Sequence, residues 1–213
     1  MQNKKVVIIS LLVLIVLFFG AGYAYKTNKS EQLASNVKQN YSALVREHSV
    51  VIGNKDAKVE LVEFFDPACE TCAQMHPYVK EIMKNNAGNI KLVLRYAPFH
   101  KGSSNVVIML EAAKEQNKFM EVLELLFNTQ KIWTVNHQVD LNKLWGVLVV
   151  SKLLDMDKLI TDMKNPDLIK IVEQDLADAK TLKATKTPAY YVNGKPLQVF
   201  GLQNLKDLIN SEL

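Results

Sequence analysis

Both cysteines of this 213-residue chain lie in one short stretch, Phe64-Phe65-Asp66-Pro67-Ala68-Cys69-Glu70-Thr71-Cys72. A mostly apolar run, Val59 to Phe65, precedes the pair, and a helical pattern, Ala73 to Asn86, follows it. This order predicts a strand, a tight turn and a helix whose first turn carries both sulfurs. Unpaired N–H groups and the positive end of the helix dipole favour a thiolate at that position. Because thiol–disulfide exchange needs a thiolate as attacker, the pair is interpreted as a reversible dithiol.

Other interpretations of the cysteine pair stay open at this point. Two buried, inert cysteines can be neighbours by chance. The pair can also belong to a metal site, in which His76 joins Cys69 and Cys72 because positions 69, 72, 73 and 76 share one helical face. A structural zinc site usually needs four ligands and no second cysteine pair exists, so the metal alternative is a soft ion such as Cu(I). A third possibility is a scaffold whose dithiol is incidental.

The composition is that of an ordinary globular protein with an N-terminal apolar segment. Of all residues, 48% are hydrophobic and 23% are charged, and the net charge is only +4. No basic block or aromatic-interleaved basic patch is present, so no nucleic-acid partner is expected. Lys4-Lys5 precede an uncharged run, Val6 to Tyr25, whose twenty residues are just enough to span a bilayer as a helix.

Residues 1–25 are therefore predicted to be a membrane anchor or a signal segment. The signal-peptide alternative rests on the small residues Gly20-Ala21-Gly22 and Ala24, but a clean Ala-x-Ala site is missing, so an uncleaved anchor is favoured. The flanking lysines place the N-terminus in the cytoplasm and the remainder outside it. In an oxidising compartment a disulfide that closes a two-residue gap contributes little stability, so the Cys69–Cys72 bond is interpreted as one that is exchanged.

Residues 26–49 are predicted to be a polar linker followed by an amphipathic helix. Ser30 is the candidate cap, and the apolar stripe packs either on its own domain or in an oligomerisation stalk; it consists of Leu33, Val37, Tyr41 and Leu44. The turn residues of Ser49 to Asp56 predict a loop.

Residues 50–213 are predicted to form one α/β domain. Strands are expected at Lys58 to Phe65, with Glu63 inside the apolar run, and at Ile90 to Ala97. A helical block covers about 103–183, with candidate helix starts at Ser103-Ser104, Phe119, Asp140, Asp155 or Asp157, and Pro166. A strand over Thr187 to Val192, a turn at Asn193-Gly194, a return strand over Leu197 to Phe200 and a helix over Gln203 to Leu213 complete the chain.

Without the helical block, the order is βαβ followed by ββα, and a Cys-x-x-Cys motif begins the first helix; this combination is thioredoxin-like. From about Leu44 onward the sequence resembles the DsbA-like thiol–disulfide oxidoreductases of the bacterial periplasm. Two stretches carry the resemblance, Val62 to Cys72 and Lys186-Thr187-Pro188-Ala189-Tyr190-Tyr191-Val192-Asn193-Gly194. The expected fold is thus a thioredoxin-like α/β domain with a helical insertion, preceded by a transmembrane segment.

The resemblance implies roles for individual residues. Cys69 would be the more exposed nucleophile and Cys72 the shielded resolving cysteine. A cis peptide bond would precede Pro188, with Thr187 and Pro188 contacting substrate, and Glu63 would match the family's buried acid. No cofactor and no metal is expected. The partners would be exported client proteins and a membrane redox partner, either a quinone-linked oxidase or a DsbD-like reductase, with the catalytic domain on the periplasmic side of the bacterial inner membrane.

One departure concerns the dipeptide between the cysteines. The strongly oxidising members of the family have Pro-His there, whereas this chain has Glu70-Thr71. The helix N-terminus should lower the pKa of Cys69, and an ionised Glu70 should raise it again. We therefore expect an intermediate reduction potential, tuned by Glu70 and Thr71, and the direction of electron flow stays open.

Overall fold

A computed structural model of the chain describes residues 3–213, and within them a mixed sheet with the order β1-β3-β2-β6-β7 forms the centre of the fold. The strands are β1 (Val50–Gly53), β2 (Val59–Phe65), β3 (Ile90–Tyr96), β4 (Thr134–Val135), β5 (Gln138–Val139), β6 (Ala189–Val192) and β7 (Lys195–Pro196). The helices are α1 (Lys4–Gln39), α2 (Glu70–Asn85), α3 (Ser103–Lys114), α4 (Phe119–Asn128), α5 (Gln130–Trp133), α6 (Leu141–Ser151), α7 (Met156–Asp162), α8 (Pro166–Thr181) and α9 (Leu202–Asn210).

The central strand β2 is covered on both faces. It pairs in parallel with β3, from Val59↔Ile90 to Phe65↔Tyr96, and antiparallel with β6. Its continuous apolar run is typical of a strand buried on both sides. Alternate residues enter different cores, because successive side chains point to opposite faces of a sheet. Leu61 and Phe65 pack with α2, α9 and the helical insertion, whereas Val62 and Phe64 pack with α8 and residues 37–44.

The N-terminal helix differs from the prediction for residues 26–49. The expected polar linker does not exist, because α1 continues without a break to Gln39, and Ser30 lies inside the helix rather than at its start. Its 36 residues extend over about 54 Å. Side chains from Val7 to Lys26 are exposed, and the helix is long and apolar enough to cross a membrane.

The apolar stripe at the end of α1 packs on its own domain. Val37 and Leu44 are fully buried in the core beneath Phe64. The Asn36 side chain donates to the Thr181 carbonyl at 2.8 Å. This is the first of the two packing alternatives considered for the stripe, and it joins the helix directly to the α/β domain.

Two other predictions are wrong at the edges of the sheet. The expected loop at Ser49 to Asp56 contains β1, whose β-branched residues Val50 to Ile52 pair with β3. The return strand expected at Leu197 to Phe200 is instead the two-residue β7, directly after the predicted turn at Asn193-Gly194. Pro196 cannot donate a ladder hydrogen bond, which limits the pairing.

Helices α3 to α8 form an insertion between β3 and β6 that spans Ser103 to Thr181. The predicted helix starts at Asp140, at Asp155 (one of two candidates) and at Pro166 are confirmed, and the side chains of Asp140, Asp155 and Asn165 accept backbone N–H bonds as caps. The expected serine cap of α3 is wrong: Gly102, with φ 86°, occupies that position, and Ser103 donates its hydroxyl to Asp66. The β4–β5 hairpin within the insertion was not predicted.

Candidate active site

The two cysteines lie where β2 ends and α2 begins. Cys69 is the N-cap residue of α2 and Cys72 is its third residue, and both are free thiols. Cys69 keeps 7% of its surface exposed and Cys72 none. The order of exposure is the expected one, but Cys69 is far more enclosed than the sequence suggested, because the insertion and the loop before β6 close over the helix start.

Asp66 fixes the turn between β2 and the cysteines. Its buried carboxylate accepts bonds from the backbone N–H of Ala68 at 2.8 Å and of His100 at 2.9 Å. The His100 ring nitrogen Nδ1 lies 2.7 Å away, and the Ser103 hydroxyl donates to the same carboxylate. The turn is therefore held by groups from the loop after β3 and from α3.

The two thiols have opposite acidities. A hydrogen bond from the Cys72 thiol lowers the pKa of Cys69 to about 5, with further contributions from Thr187 and from the backbone N–H groups of Cys72 and Thr71. Burial raises the pKa of Cys72 well above its ordinary value, and the charges of Cys69 and Glu63 raise it further. At neutral pH one sulfur is thus a thiolate and the other a thiol.

The peptide bond between Thr187 and Pro188 is cis, as the resemblance implied. The Thr187 carbonyl oxygen lies 3.4 Å from the Cys69 sulfur. The residues before β6 therefore border the Cys69 sulfur.

Glu63 lies inside the core on the cysteine side of the sheet. It is 3% exposed, and its neighbours on β2 with the same orientation are Leu61 and Phe65. Burial raises the pKa of Glu63 to about 8; the Tyr190 hydroxyl, 3.2 Å from Oε1, opposes this rise, and the Cys69 charge adds to it. The acid and the two sulfurs are therefore electrostatically coupled.

The Glu70 side chain is directed away from the sulfurs. It is 57% exposed, and its Oε1 lies 3.7 Å from Nδ1 of His137, at the β4–β5 hairpin. Solvent and this imidazole screen the carboxylate, so its expected effect on Cys69 is small beside the hydrogen bonds from Cys72 and Thr71. Thr71 acts through its backbone N–H.

His76 does not join the cysteines. Its ring packs against Phe127, with 5.1 Å between ring centroids, and burial lowers its pKa. Within residues 3–213, no group of three or more His, Cys, Asp or Glu side chains is arranged to hold a metal ion. The soft-metal alternative therefore loses its third ligand.

Comparisons with known proteins agree with this geometry. The family model described as thioredoxin matches residues 45–211. This chain belongs to the thioredoxin family. It is a DsbA-like member: it is 26% identical over 180 residues to a Rickettsia bellii protein with the provisional description protein-disulfide oxidoreductase, covering 79% of this chain. The crystal structure of oxidised BdbD from Bacillus subtilis superposes with a TM-score of 0.66 at 25% identity, covering 77% of this chain and 92% of BdbD.

The thioredoxin-like region also matches part of a larger protein. It is 29% identical over 146 residues to a Na(+)/H(+) antiporter NhaA of Herminiimonas arsenicoxydans. The match with the antiporter covers 68% of this chain but only 22% of the antiporter. The separate match with the Rickettsia bellii protein covers 66% of that protein. This chain thus spans about a fifth of the one relative and about two thirds of the other.

Sequence reasoning missed a further residue of this thioredoxin-family site. Gln130, the first residue of α5, is 4% exposed and donates its side-chain amide to the carbonyls of Pro67 at 2.8 Å and Cys69 at 3.1 Å. It is 61 residues from Cys69 in sequence, so no local pattern pointed to it. Asp66 and Tyr190 lay within the quoted motifs, but nothing in the sequence assigned them contacts.

Proposed function

We propose that this chain catalyses thiol–disulfide exchange on exported proteins, with Cys69 as nucleophile and Cys72 as resolving cysteine. The observation that carries the proposal is the opposite acidity of the two thiols at the helix start. A thiolate at Cys69 is ready to attack at neutral pH, and a protonated Cys72 does not compete with it. The description of the Rickettsia bellii relative as a protein-disulfide oxidoreductase supports the same chemistry.

Reduction of a client begins at Cys69. The thiolate attacks one sulfur of a client disulfide; a mixed disulfide forms, and the other client sulfur leaves as a thiolate. Cys72 then loses its proton to Glu63 and attacks the Cys69 sulfur. The second client sulfur leaves, so the client gains two electrons and the Cys69–Cys72 pair becomes a disulfide. In the reverse direction a client dithiol is oxidised, and Glu63 returns the proton to Cys72.

Thr187 and Pro188 are proposed to bind the client backbone. The Thr187 carbonyl borders the Cys69 sulfur at the start of α2. An extended client segment docked beside this carbonyl would bring a client sulfur in line with Cys69. Client recognition would then depend on backbone contacts more than on sequence.

The expected direction of electron flow between the enzyme and its clients depends on the stability of the Cys69 thiolate. A lowered nucleophile pKa stabilises the reduced form and makes the disulfide a better oxidant. A Cys69 pKa of about 5 lies between the nucleophile pKa of thioredoxin, about 7, and that of DsbA, about 3.5. We propose an enzyme of intermediate potential, which a membrane redox partner, a quinone-linked oxidase or a DsbD-like reductase, keeps oxidised or reduced.

Helix α1 is proposed to anchor the enzyme in the bacterial inner membrane through residues 6–25, with the catalytic domain in the periplasm. Its apolar length supports the anchor, and the lysines at 4 and 5 support a cytoplasmic N-terminus. Fractionation with mass analysis of the N-terminus tests this placement. A mature chain that begins near Tyr25 and is recovered in the soluble periplasm would replace the anchor with a cleaved signal.

The exchange activity is tested with the full chain in detergent micelles. Insulin reduction and the refolding of a reduced, disulfide-containing protein measure the two directions. Cys69→Ser should abolish both, and Cys72→Ser should accumulate a mixed disulfide at Cys69. The chain has only these two cysteines. Any activity left in a variant that carries both Cys69→Ser and Cys72→Ser would therefore show that the dithiol is not the catalyst.

A further inference from the structure

Tyr190 and Glu63 face each other across the junction of β2 and β6. They are direct partners in the antiparallel register, and both side chains enter the core that contains the cysteines. The hydroxyl of Tyr190 lies 3.2 Å from Oε1 of Glu63, and Tyr190 is only 2% exposed. Tyr190 is two residues from the cis bond at Pro188. The short segment from Thr187 to Tyr190 therefore carries both the carbonyl that borders Cys69, just before β6, and the hydroxyl on β6 that contacts the buried acid.

Within residues 3–213, the Tyr190 hydroxyl is the one side-chain group hydrogen-bonded to the Glu63 carboxyl. The other titratable groups that face Glu63 are the two cysteines of the α2 start. On β3 its direct partner is the apolar Leu94, and the hydroxyl of nearby Tyr96 donates to Glu111 at 2.6 Å instead. Tyr190 is thus the donor available to the ionised acid.

A neutral O–H donor affects the two forms of a buried acid differently. It can donate to the carboxylate, which lacks protons of its own, and so stabilises the charged form against the cost of burial. Without that donor, Glu63 would remain protonated to higher pH and would accept the Cys72 proton less readily.

We propose that Tyr190 is a positioning residue for the proton step of exchange: its hydroxyl increases the fraction of Glu63 that is ionised and can take the proton from Cys72. This inference rests on the proposed role of Glu63 in thiol–disulfide exchange. It assigns the residue after the cis-proline loop a function in proton transfer, separate from client binding by Thr187 and Pro188.

Tyr191 provides a matched control on the same strand. Its side chain enters the opposite core, where it packs edge-to-face on Phe64. Its hydroxyl donates to the Leu182 carbonyl at 3.3 Å. Tyr191→Phe therefore removes a buried hydroxyl of the same kind from the same strand without touching Glu63 or the cysteines.

The test follows the two steps of the reaction of the reduced full chain with dithiobis(nitrobenzoate). The Cys69 thiolate attacks the reagent and releases one thionitrobenzoate. Cys72 then attacks the Cys69 mixed disulfide, loses its proton to Glu63 and releases the second. Stopped-flow absorbance resolves the two releases across pH 5 to 10 for the wild type and for the Tyr190→Phe, Tyr191→Phe and Glu63→Gln variants.

In Tyr190→Phe, the inflection in the plot of second-release rate against pH should move upward by about 0.5 to 1 pH unit. At pH values below the inflection, the rate of the second release should fall roughly three- to tenfold. The first release should not change. Tyr191→Phe should keep the wild-type profile, and Glu63→Gln should lose the inflection.

A wild-type profile in Tyr190→Phe, or an equal shift in Tyr191→Phe, would overturn the inference while leaving the exchange function intact. If Glu63→Gln keeps the inflection, the role of Glu63 fails and the inference fails with it. If the wild type never releases the second thionitrobenzoate, the exchange function itself fails, which is a different result from either of these.

Discussion

The side-chain amide of Gln130 bonds the backbone carbonyl of Cys69 at 3.1 Å and that of Pro67 at 2.8 Å. The helical insertion thereby holds the turn that presents the nucleophile. A buried carbonyl that loses its donor costs about 1–3 kcal/mol. The insertion is therefore part of the active-site support and not an accessory to the thioredoxin-like core.

Gln130→Leu should lower the free energy of unfolding by about 1–3 kcal/mol, because it leaves the Pro67 carbonyl without this partner. Denaturant unfolding of the full chain in micelles measures the change. Gln116→Leu is the matched control, since Gln116 makes the same kind of bond, to the Asp155 carbonyl at 3.0 Å, on the surface. Equal losses in the two variants would contradict a special role for Gln130.

Glu63→Gln should make the protein more stable at neutral pH. The folded-state pKa of Glu63 is raised to about 8 from an ordinary 4.5, so the folded protein binds a proton that the unfolded chain releases. The contribution of Glu63 to the free energy of unfolding of the wild type is thus greatest below about pH 4.5 and is lost as the pH rises towards 8. The variant should be more stable by roughly 3 kcal/mol at pH 7.

The pH dependence provides the decisive comparison for Glu63. The stability difference between Glu63→Gln and the wild type should vanish near pH 4.5 and grow up to about pH 8. A constant difference over that range would mean that Glu63 does not bind its proton more tightly in the folded protein.

The sequence predicted the parts of this fold that depend on local pattern. The strand before Cys69, the turn at Asn193-Gly194 and the helix starts at Asp140, Asp155 and Pro166 follow from spacing and turn chemistry alone. What it missed depends on distant partners. β1 forms by pairing with β3, Val50 with Leu94 for example, and these residues come together only in the folded sheet. The continuation of α1 through the expected polar linker to Gln39 also had no clear local signal.

The candidate site shows the same division. The cysteines and the cis-proline segment form recognisable motifs, so their placement at the start of α2 and before β6 could be predicted. The effect expected of Glu70 was overestimated, because sequence adjacency to Cys69 says nothing about the 57% exposure of its side chain. Gln130 could not be found, since its contact with Cys69 joins two elements 61 residues apart.

A buried charge network beneath the sheet should be essential for stability. Arg95, fully buried, donates to Asp175 and Asp178, each at 2.7 Å, and to the Ala43 carbonyl at 2.7 Å. Arg95→Met should cost about 3–5 kcal/mol, because two buried carboxylates lose the fully buried one of their cationic partners. Arg46→Met, which removes the more exposed partner of Asp178, should cost less in the same denaturant titration; the opposite order would contradict this assignment.

The same network predicts loss of stability in acid. Burial works to raise the pKa of Asp175, but hydrogen bonds from His48 and Arg95 outweigh it and hold the pKa below 3.8. This stabilisation is present above the unfolded-state pKa and is lost as the pH falls through the lower folded-state value. Acid titration of Asp175→Asn should show a weaker dependence of stability on pH below 4 than the wild type.

Alkylation should distinguish the two cysteines. Iodoacetamide should modify Cys69 with a half-maximal rate near pH 5, while Cys72 reacts only after unfolding. Peptide mass analysis of partly modified protein assigns the sites. Faster modification of Cys72 near neutral pH would reverse the assignment of nucleophile and resolving cysteine.

The reduction potential of the Cys69–Cys72 couple tests the central claim most directly. A Cys69 pKa of about 5 is roughly two units below that of thioredoxin and 1.5 above that of DsbA, and each unit corresponds to about 30 mV for this two-electron couple. Equilibration of the full chain with glutathione buffers should therefore give a potential of roughly −210 to −165 mV. A value near −270 mV or near −120 mV, or a dithiol that does not equilibrate with glutathione, would contradict the account.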